Sequence, residues 1–281
     1  MKEFKKIAIL GVGLIGGSIG LAVKKKGAAQ EIRGLTTKRS TLAKALCRKA
    51  IDSGTLSLRK AVSGADLVII CTPVKTVSRI IKKILPYLKK GCLITDVAST
   101  KGEIVEKVEK ILPSGVSFVG GHPMAGSERT GVEFAGAGLF EGSVCIVTKS
   151  KKTASNDLKK ISAFWRKLGA KVKVLTPGRH DEIVARVSHL PHLAAVALVN
   201  ELSKGDADFV SSGFRDTTRV SSSSAKIWRD ICLSNRRCIS LALDRYIKRM
   251  KVIKKEIDDL NGAAISREFK KAKMARKIIK G

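Results

Sequence analysis

The sequence predicts an α/β protein: a mainly parallel, doubly wound sheet over residues 1–177, then an all-helical region over 178–281. Three observations predict it. Short apolar runs alternate with stretches of helical period through the first 177 residues, the pattern of βα units that feed a parallel sheet. A G-x-G-x-x-G stretch stands where the first strand gives way to the first helix. Beyond Pro177 the strand patterning stops and only helical periodicity remains.

The elements follow in order. KKIAIL (5–10) reads as a short buried strand, and IGLAVKKKG continues from the glycine loop as a helix ending at Gly27. Between them lie Gly11, Gly13 and Gly16, with Leu14 and Ile15 in the loop. The first glycine of such a loop permits a tight turn, and the second lets backbone approach a pyrophosphate. The third allows close helix–strand packing, and the helix N-terminus offers free N–H groups to the phosphates. The first domain is therefore of the dinucleotide-binding Rossmann type. IRGLT (32–36) is a second strand, followed by a helix through LAKALCRKA. ADLVIICTP (65–73) is an almost unbroken apolar strand of the buried parallel kind, ending at Thr72 and Pro73, both candidates for cofactor contact. CLITDVAS (92–99), VSFVGGHP (116–123), SVCIVTK (143–149) and KVKVLTP (171–177) read as further strands, with helices at 75–89, 102–111 and 155–168.

In the helical part, apolar residues from His180 to Leu202 recur on one face, at Ile183, Val184, Val187, Leu190, Leu193, Ala194, Ala197 and Leu198. A second helical stretch runs from Ile227 to about Leu260, interrupted by nothing stronger than Ser-Asn at 234 and 235. Helices this rich in Ala, Leu and Val often bury a face against a second subunit, so the sequence predicts a homodimer with a helical dimerisation domain.

Bulk composition narrows the class. Apolar residues make up 44% of 281, enough to bury two cores and to exclude general disorder. The six cysteines show no CxxC pair and no zinc-type spacing, which predicts reduced thiols, no metal and a cytoplasmic location. The run from Ile7 to Val23 follows three lysines and imitates a signal peptide, but five glycines interrupt it and Lys24–Lys26 close it. No membrane span is expected there or elsewhere. The net charge of +31, from 55 Lys+Arg against 24 Asp+Glu, raises nucleic acid as a partner. Against that, the basic residues are spread along the whole chain, and only the tail from Arg267 is a basic appendage. Aromatics are just 4%, leaving few stacking platforms, so contact with nucleic acid is expected only nonspecifically, through the basic surface.

The second strand ends in GLTTKRS. Thr36, Thr37, Lys38 and Arg39 stand where an NAD-binding domain carries an acidic residue for the ribose hydroxyls, and Glu31 lies too early. Hydroxyls and a guanidinium suit a 2′-phosphate, so NADP is favoured with NAD possible.

Candidate site residues fall in four segments. TDVASTKG (95–102) places Ser99 at the C-terminal end of a strand, where open α/β sheets bind ligands. GGHPMAGSE (120–128) follows, and the helical part adds SHLPH (188–192), then SSGFRDTTR (211–219) with Trp228 beyond it. Together with GVGLIGGS, and in this order, these segments resemble the prephenate/arogenate dehydrogenase family of tyrosine biosynthesis, over about residues 5–260. The resemblance implies the minimal monofunctional form, a Rossmann domain and a helical dimerisation domain. It implies NAD(P)-dependent oxidative decarboxylation of prephenate to 4-hydroxyphenylpyruvate, with arogenate, which yields tyrosine directly, as the alternative substrate. His122 would take the proton of the ring hydroxyl, and Ser99 would hydrogen-bond the same group. Arg219 would grip a substrate carboxylate, for which a guanidinium is well shaped. His192, Trp228 and Ser188 would line the pocket, Glu128 would stand at its edge, and Asp216 would orient a neighbouring arginine or histidine. SSGFRDT and the NADP-like loop resemble arogenate users, whereas His192 and Glu128 resemble prephenate users.

Two other classes share part of the pattern. A β-hydroxyacid-type dehydrogenase would also join a GxGxxG domain to helices, but would leave the GGHP turn unexplained. A nucleic-acid-binding protein on a dehydrogenase fold would explain the charge, and would hold its ligand at physiological salt.

Overall fold

In a computed structural model, which describes residues 4–126 and 129–279, the first elements are β1 (Phe4–Leu10), α1 (Leu14–Lys26), β2 (Ala29–Leu35), α2 (Arg39–Cys47), β3 (Ser53–Thr55) and α3 (Leu58–Val62). They are followed by β4 (Leu67–Ile70), α4 (Val77–Ile84), β5 (Leu93–Asp96), α5 (Gly102–Glu109) and β6 (Ser117–Val119). These strands form one six-stranded sheet in the order β3-β2-β1-β4-β5-β6, parallel throughout. Strand periodicity explains its two faces. Ile7 and Ile9 of β1 pack into one core with Ile19, Phe164 and Trp165, while Ala8 and Leu10 pack into the other with Val77 and Ile81. Helix α1 stops where Gly27 adopts the left-handed conformation (φ 59°), and its last turn, Lys24–Lys26, carries positive charge against the negative end of the helix dipole.

The chain then forms β7 (Gly121–Pro123), β8 (Val144–Thr148), α6 (Ser155–Lys167) and β9 (Lys171–Leu175). These strands make a second sheet in the order β7-β8-β9, with β7 antiparallel to β8 and β8 parallel to β9. The stretch 116–123, expected as one strand, is thus two strands in two sheets. The break falls at Gly120, where an added Cβ would lie 2.6 Å from Thr148 Oγ1 and 3.1 Å from Lys101 Cδ. Only a glycine lets the backbone turn there against those side chains.

The helical part contains α7 (Pro177–Val184), a π-helical turn at Ala185–His189, α8 (Leu190–Asn200), α9 (Ser212–Thr218), α10 (Ala225–Ser234), α11 (Arg236–Asp258) and α12 (Gly262–Ile279). Several expectations are corrected. The predicted helix at 75–89 is helical in α form only over Val77–Ile84, with 3-10 turns before and after it, and Pro86 stands in the second turn. The Ser-Asn pair does end a helix, between α10 and α11. The basic tail is helical as α12 as far as Ile279. β3 and α3 escaped notice because they are only three and five residues long. The apolar run 7–23 is divided between β1 and α1. Among the described residues, the continuous helical run Pro177–Asn200 is the one long and apolar enough to cross a membrane by length and composition.

By internal contacts the chain divides into a unit of residues 1–236 and a unit of residues 237–281. Within the second, Arg249 of α11 pairs with Glu268 of α12 (3.4 Å), while Leu260, Phe269, Met274 and Ile278 are exposed.

Candidate active site

The three loop glycines have distinct reasons to be glycine. Gly11 has φ of +101°, and a Cβ there would sit 2.7 Å from the Cys71 carbonyl oxygen, so the turn and the approach to β4 both exclude a side chain. At Gly16 a Cβ would lie 2.1 Å from the Gly11 carbonyl oxygen. At Gly13, the N-cap of α1, a Cβ would meet nothing within 4 Å. No side chain caps α1, and its first turn holds no acidic residue. Open space before uncapped helix N–H groups fits the pyrophosphate of a dinucleotide. Leu14 and Ile15, both half-buried, open α1, and the glycine loop meets the other candidate segment here: a Cβ on Gly126 would lie 4.0 Å from Ile15 Cδ1.

At the end of β2, Thr36 is buried and its hydroxyl donates to the Lys38 carbonyl (2.9 Å), so its one proton serves the loop. Lys38 and Arg39 are exposed, with Arg39 opening α2. Beyond β4, Thr72 Oγ1 accepts from Thr76 Oγ1 (2.8 Å), and Pro73 starts the following turn.

His122 lies on β7 opposite Ile146 of β8 and is buried. Its position follows from contacts around the glycine before it. Asp96, the last residue of β5, accepts the N–H of Gly121 (3.2 Å) and of Ala98 (3.0 Å), and pairs with the ammonium of Lys101. Asp96 and Lys101 are both fully buried, and a Cβ on Gly121 would strike the Asp96 carbonyl oxygen at 2.8 Å. The glycine pair before His122 thus lets β7 press against the end of β5. Ser99 sits in the turn between Asp96 and Lys101, half-buried, its hydroxyl making no hydrogen bond to a described residue.

His122 Nδ1 lies 2.8 Å from Nε2 of His180, and His180 Nδ1 lies 2.8 Å from Oδ1 of Asp181. Both residues belong to α7. Asp181 also accepts the N–H of Lys101 on Oδ1 and of Gly102 on Oδ2, each at 2.8 Å, capping α5 from outside. Asn235 connects this group to a second one, its Nδ2 donating to the Asp181 carbonyl (2.9 Å) and lying 3.3 Å from His189 Nδ1. In that second group His192 stacks on Trp228 (centroids 3.8 Å apart, planes at 26°), and His189 meets the same ring edge-on. The Ser188 carbonyl accepts from His192 Nδ1 (2.9 Å), so Ser188 contributes its backbone. All four histidines of the chain are gathered along this path.

Residues 19–174 match the family model described as prephenate dehydrogenase, nucleotide-binding domain, and residues 176–271 match prephenate dehydrogenase, dimerization domain. The chain belongs to the prephenate dehydrogenase family. It is 35% identical to the prephenate dehydrogenase of Bacillus subtilis (strain 168), over 97% of this chain and 76% of that protein. The crystal structure of prephenate dehydrogenase from A. aeolicus in complex with hydroxyphenyl propionate and NAD+ superposes with a TM-score of 0.92 at 33% identity, covering 98% of each chain. Synechocystis arogenate dehydrogenase superposes with a TM-score of 0.84 at 28% identity, over 98% of this chain and 99% of that one.

In this prephenate dehydrogenase family member the site's electrostatics favour neutral imidazoles. Burial pushes the His122 pKa well below 6.5, and the charges of His180, Lys101 and His189 push the same way. Burial also lowers His180, against the pull of Asp181. His189 falls to about 4, chiefly by burial. His192 is lowered by burial and by the positive charge of Arg219, which places Arg219 in its electrostatic neighbourhood. Arg219 itself is exposed. Asp216 is exposed on α9 and forms no hydrogen bond or ion pair with a described residue. Glu128 lies outside the described residues. Among the described residues no group of three or more His, Cys, Asp or Glu side chains is placed to hold a metal.

Sequence reading missed His180, Asp181 and Asn235. The available signal was the adjacent His-Asp pair in the first turn of a helix, in a chain with only four histidines. Its pairing with a residue 58 positions earlier is a tertiary fact.

Proposed function

We propose that this chain catalyses the oxidative decarboxylation of prephenate to 4-hydroxyphenylpyruvate, as a cytoplasmic homodimer. Its functional parts are a dinucleotide-binding domain over 1–177 and a substrate and dimerisation domain over 178–281. The observation that carries the reading is the buried His122, neutral at physiological pH, with one ring nitrogen engaged by His180 and the other bonded to no described residue. A neutral imidazole can take the proton of a ring hydroxyl as the carbon bearing it is oxidised. When bound, the nicotinamide supplies the hydride acceptor. Gly11, Gly13, Leu14, Ile15 and Gly16 would hold the dinucleotide's phosphates, Thr72 and Pro73 would contact it, and Lys38 and Arg39 would favour a 2′-phosphate and hence NADP. The solved A. aeolicus relative is in complex with NAD+.

Ser99 donates to or accepts from the same ring hydroxyl and holds it against His122. Arg219 binds a substrate carboxylate bidentately. His192, stacked on Trp228 and bonded to the Ser188 carbonyl, gives a flat wall for the substrate. The ring carboxylate leaves as carbon dioxide, and the electron pair of the broken C–C bond completes the aromatic ring. The six free thiols suit the cytoplasm, and the match to the family's dimerization domain supports the homodimer. The likeness to an arogenate dehydrogenase keeps arogenate as the second reading.

A two-by-two steady-state assay tests this, offering prephenate or arogenate, each with NAD or NADP, and following formation of reduced nicotinamide. The expected result is the highest kcat/KM for prephenate with NADP. A higher value with arogenate overturns the substrate assignment, and a higher value with NAD the cofactor assignment. Turnover in no combination overturns the function.

A further inference from the structure

One carboxylate organises both groups placed at the reacting hydroxyl. Asp181 receives donors on each oxygen: the N–H of Lys101 and His180 Nδ1 on Oδ1, and the N–H of Gly102 on Oδ2. With a backbone N–H donated to each of its oxygens, this carboxylate is the acceptor in its contacts. His180 Nδ1 must therefore carry the proton in that contact. A neutral imidazole has one N–H, so His180 Nε2 is bare and can only accept in its turn. The sole donor left for the 2.8 Å contact is His122 Nδ1–H. That leaves His122 Nε2 without a proton, the state a base needs. The same Asp181 holds the backbone of Lys101 and Gly102, the end of the turn that carries Ser99, so the two devices share one anchor on α7.

Resting on the function proposed above, we infer that His180 and Asp181 are positioning residues. Together they lock His122 in the Nδ1–H tautomer with Nε2 free as the base, and fix the Ser99 turn in register with it. The charged and titratable groups facing this pair are Asp96 at the end of β5, Lys101 just before α5, Cys145 on β8, and His189 beyond Asn235. Protonating His180 reverses the order of donors. Both its nitrogens then donate, His122 Nδ1 must accept, and the proton of neutral His122 moves to Nε2, where the base is lost. Activity therefore falls on the acid side through the pair as a unit.

The test has a spectroscopic and a kinetic arm. In full-length protein labelled with 15N-histidine, only four imidazoles contribute, and His→Gln variants assign them. His122 should show a protonated Nδ1 and a bare Nε2 at neutral pH, with the pattern lost in His180→Phe. Kinetically, His180→Phe should lower kcat by roughly 100-fold or more, the scale of misplacing a general base, with KM and nucleotide affinity within about threefold of wild type. His180→Gln, whose amide oxygen can accept the Nδ1–H, should recover most of that loss and shift the acid limb of the pH profile. A His122 protonated on Nε2 in wild type overturns the inference whether or not the enzyme turns over prephenate. So does His180→Gln as impaired as a folded His180→Phe, or His180→Phe with wild-type kcat. Failure of the wild type in every substrate combination overturns the function instead, and leaves the tautomer result standing on its own.

Discussion

Gly13 and Gly16 stand three residues apart in one loop, yet they should respond oppositely to the same added methyl. In Gly16→Ala the new Cβ would lie 2.1 Å from the Gly11 carbonyl oxygen and 3.1 Å from Ile9 Cγ2. An ordinary contact needs more than 3 Å, so α1 must retreat from β1 by about 1 Å, an overpacking cost of about 3 kcal/mol. At ~2–4 °C per kcal/mol for a domain of this size, melting should fall by roughly 6–12 °C. Gly13→Ala meets no atom within 4 Å, and φ at that position is −95°. The change loses a preferred N-cap residue but restricts the unfolded chain, and these effects of about 0.5–1 kcal/mol nearly cancel. Its melting should therefore stay within about 3 °C of wild type. The methyl does project into the space assigned to the pyrophosphate, so nucleotide affinity should fall tenfold or more, about 1.4 kcal/mol. Thermal melts and titration of reduced-nicotinamide fluorescence read both quantities. A Gly13→Ala protein that binds nucleotide as tightly as wild type would refute the assignment of that space. One that melts as low as Gly16→Ala would refute the separation of fold from binding.

Four further outcomes follow from the site. His122→Asn should cut turnover by orders of magnitude while leaving nucleotide affinity nearly intact, and a fully active variant would remove His122 from the chemistry. Arg219→Ala should chiefly raise the substrate KM, and an unchanged KM would mean the carboxylate is held elsewhere. Lys101→Met leaves the fully buried Asp96 without its cation and should cost about 3–5 kcal/mol in denaturant unfolding. Adding Asp96→Asn to it should recover part of that, and a loss under 1 kcal/mol in the single variant would contradict a buried ionic pair. Because burial holds His189 at about 4 while an unfolded histidine titrates near 6.5, the unfolded chain takes up this proton first as pH falls. The stability from a neutral His189 is present above pH 6.5 and is lost progressively towards pH 4, about 3 kcal/mol from this residue alone. His122 and His180 add in the same direction. Unfolding free energies that stay flat from pH 7 to pH 4.5 would exclude this arrangement.

What the sequence determined by itself is what depends on local spacing. Period-two and period-3.6 patterns placed most strands and helices, because each element must bury its own apolar side whatever its partners are. The glycines at 11, 13 and 16 were legible because they form one contiguous motif between a strand and a helix, although the group that excludes a side chain at Gly11 is the distant Cys71 carbonyl. His122 and Ser99 could be proposed for the site from motifs that are contiguous in sequence. The tertiary structure decided everything that joins distant segments. The split of 116–123 into two sheets lies in its pairing, β6 with β5 and β7 with β8, which leaves no trace in the local pattern. The hydroxyl of Thr36 looked available in sequence but is committed to the Lys38 carbonyl. His180 and Asp181 looked like ordinary helix-start residues until α7 packed them against β7 and α5. A hydrogen bond is directional to a few tenths of an ångström, and spacing along a chain carries no such distance. The proposed base could be named from residue order, but the groups bonded to it could only be found once the chain had folded back on itself.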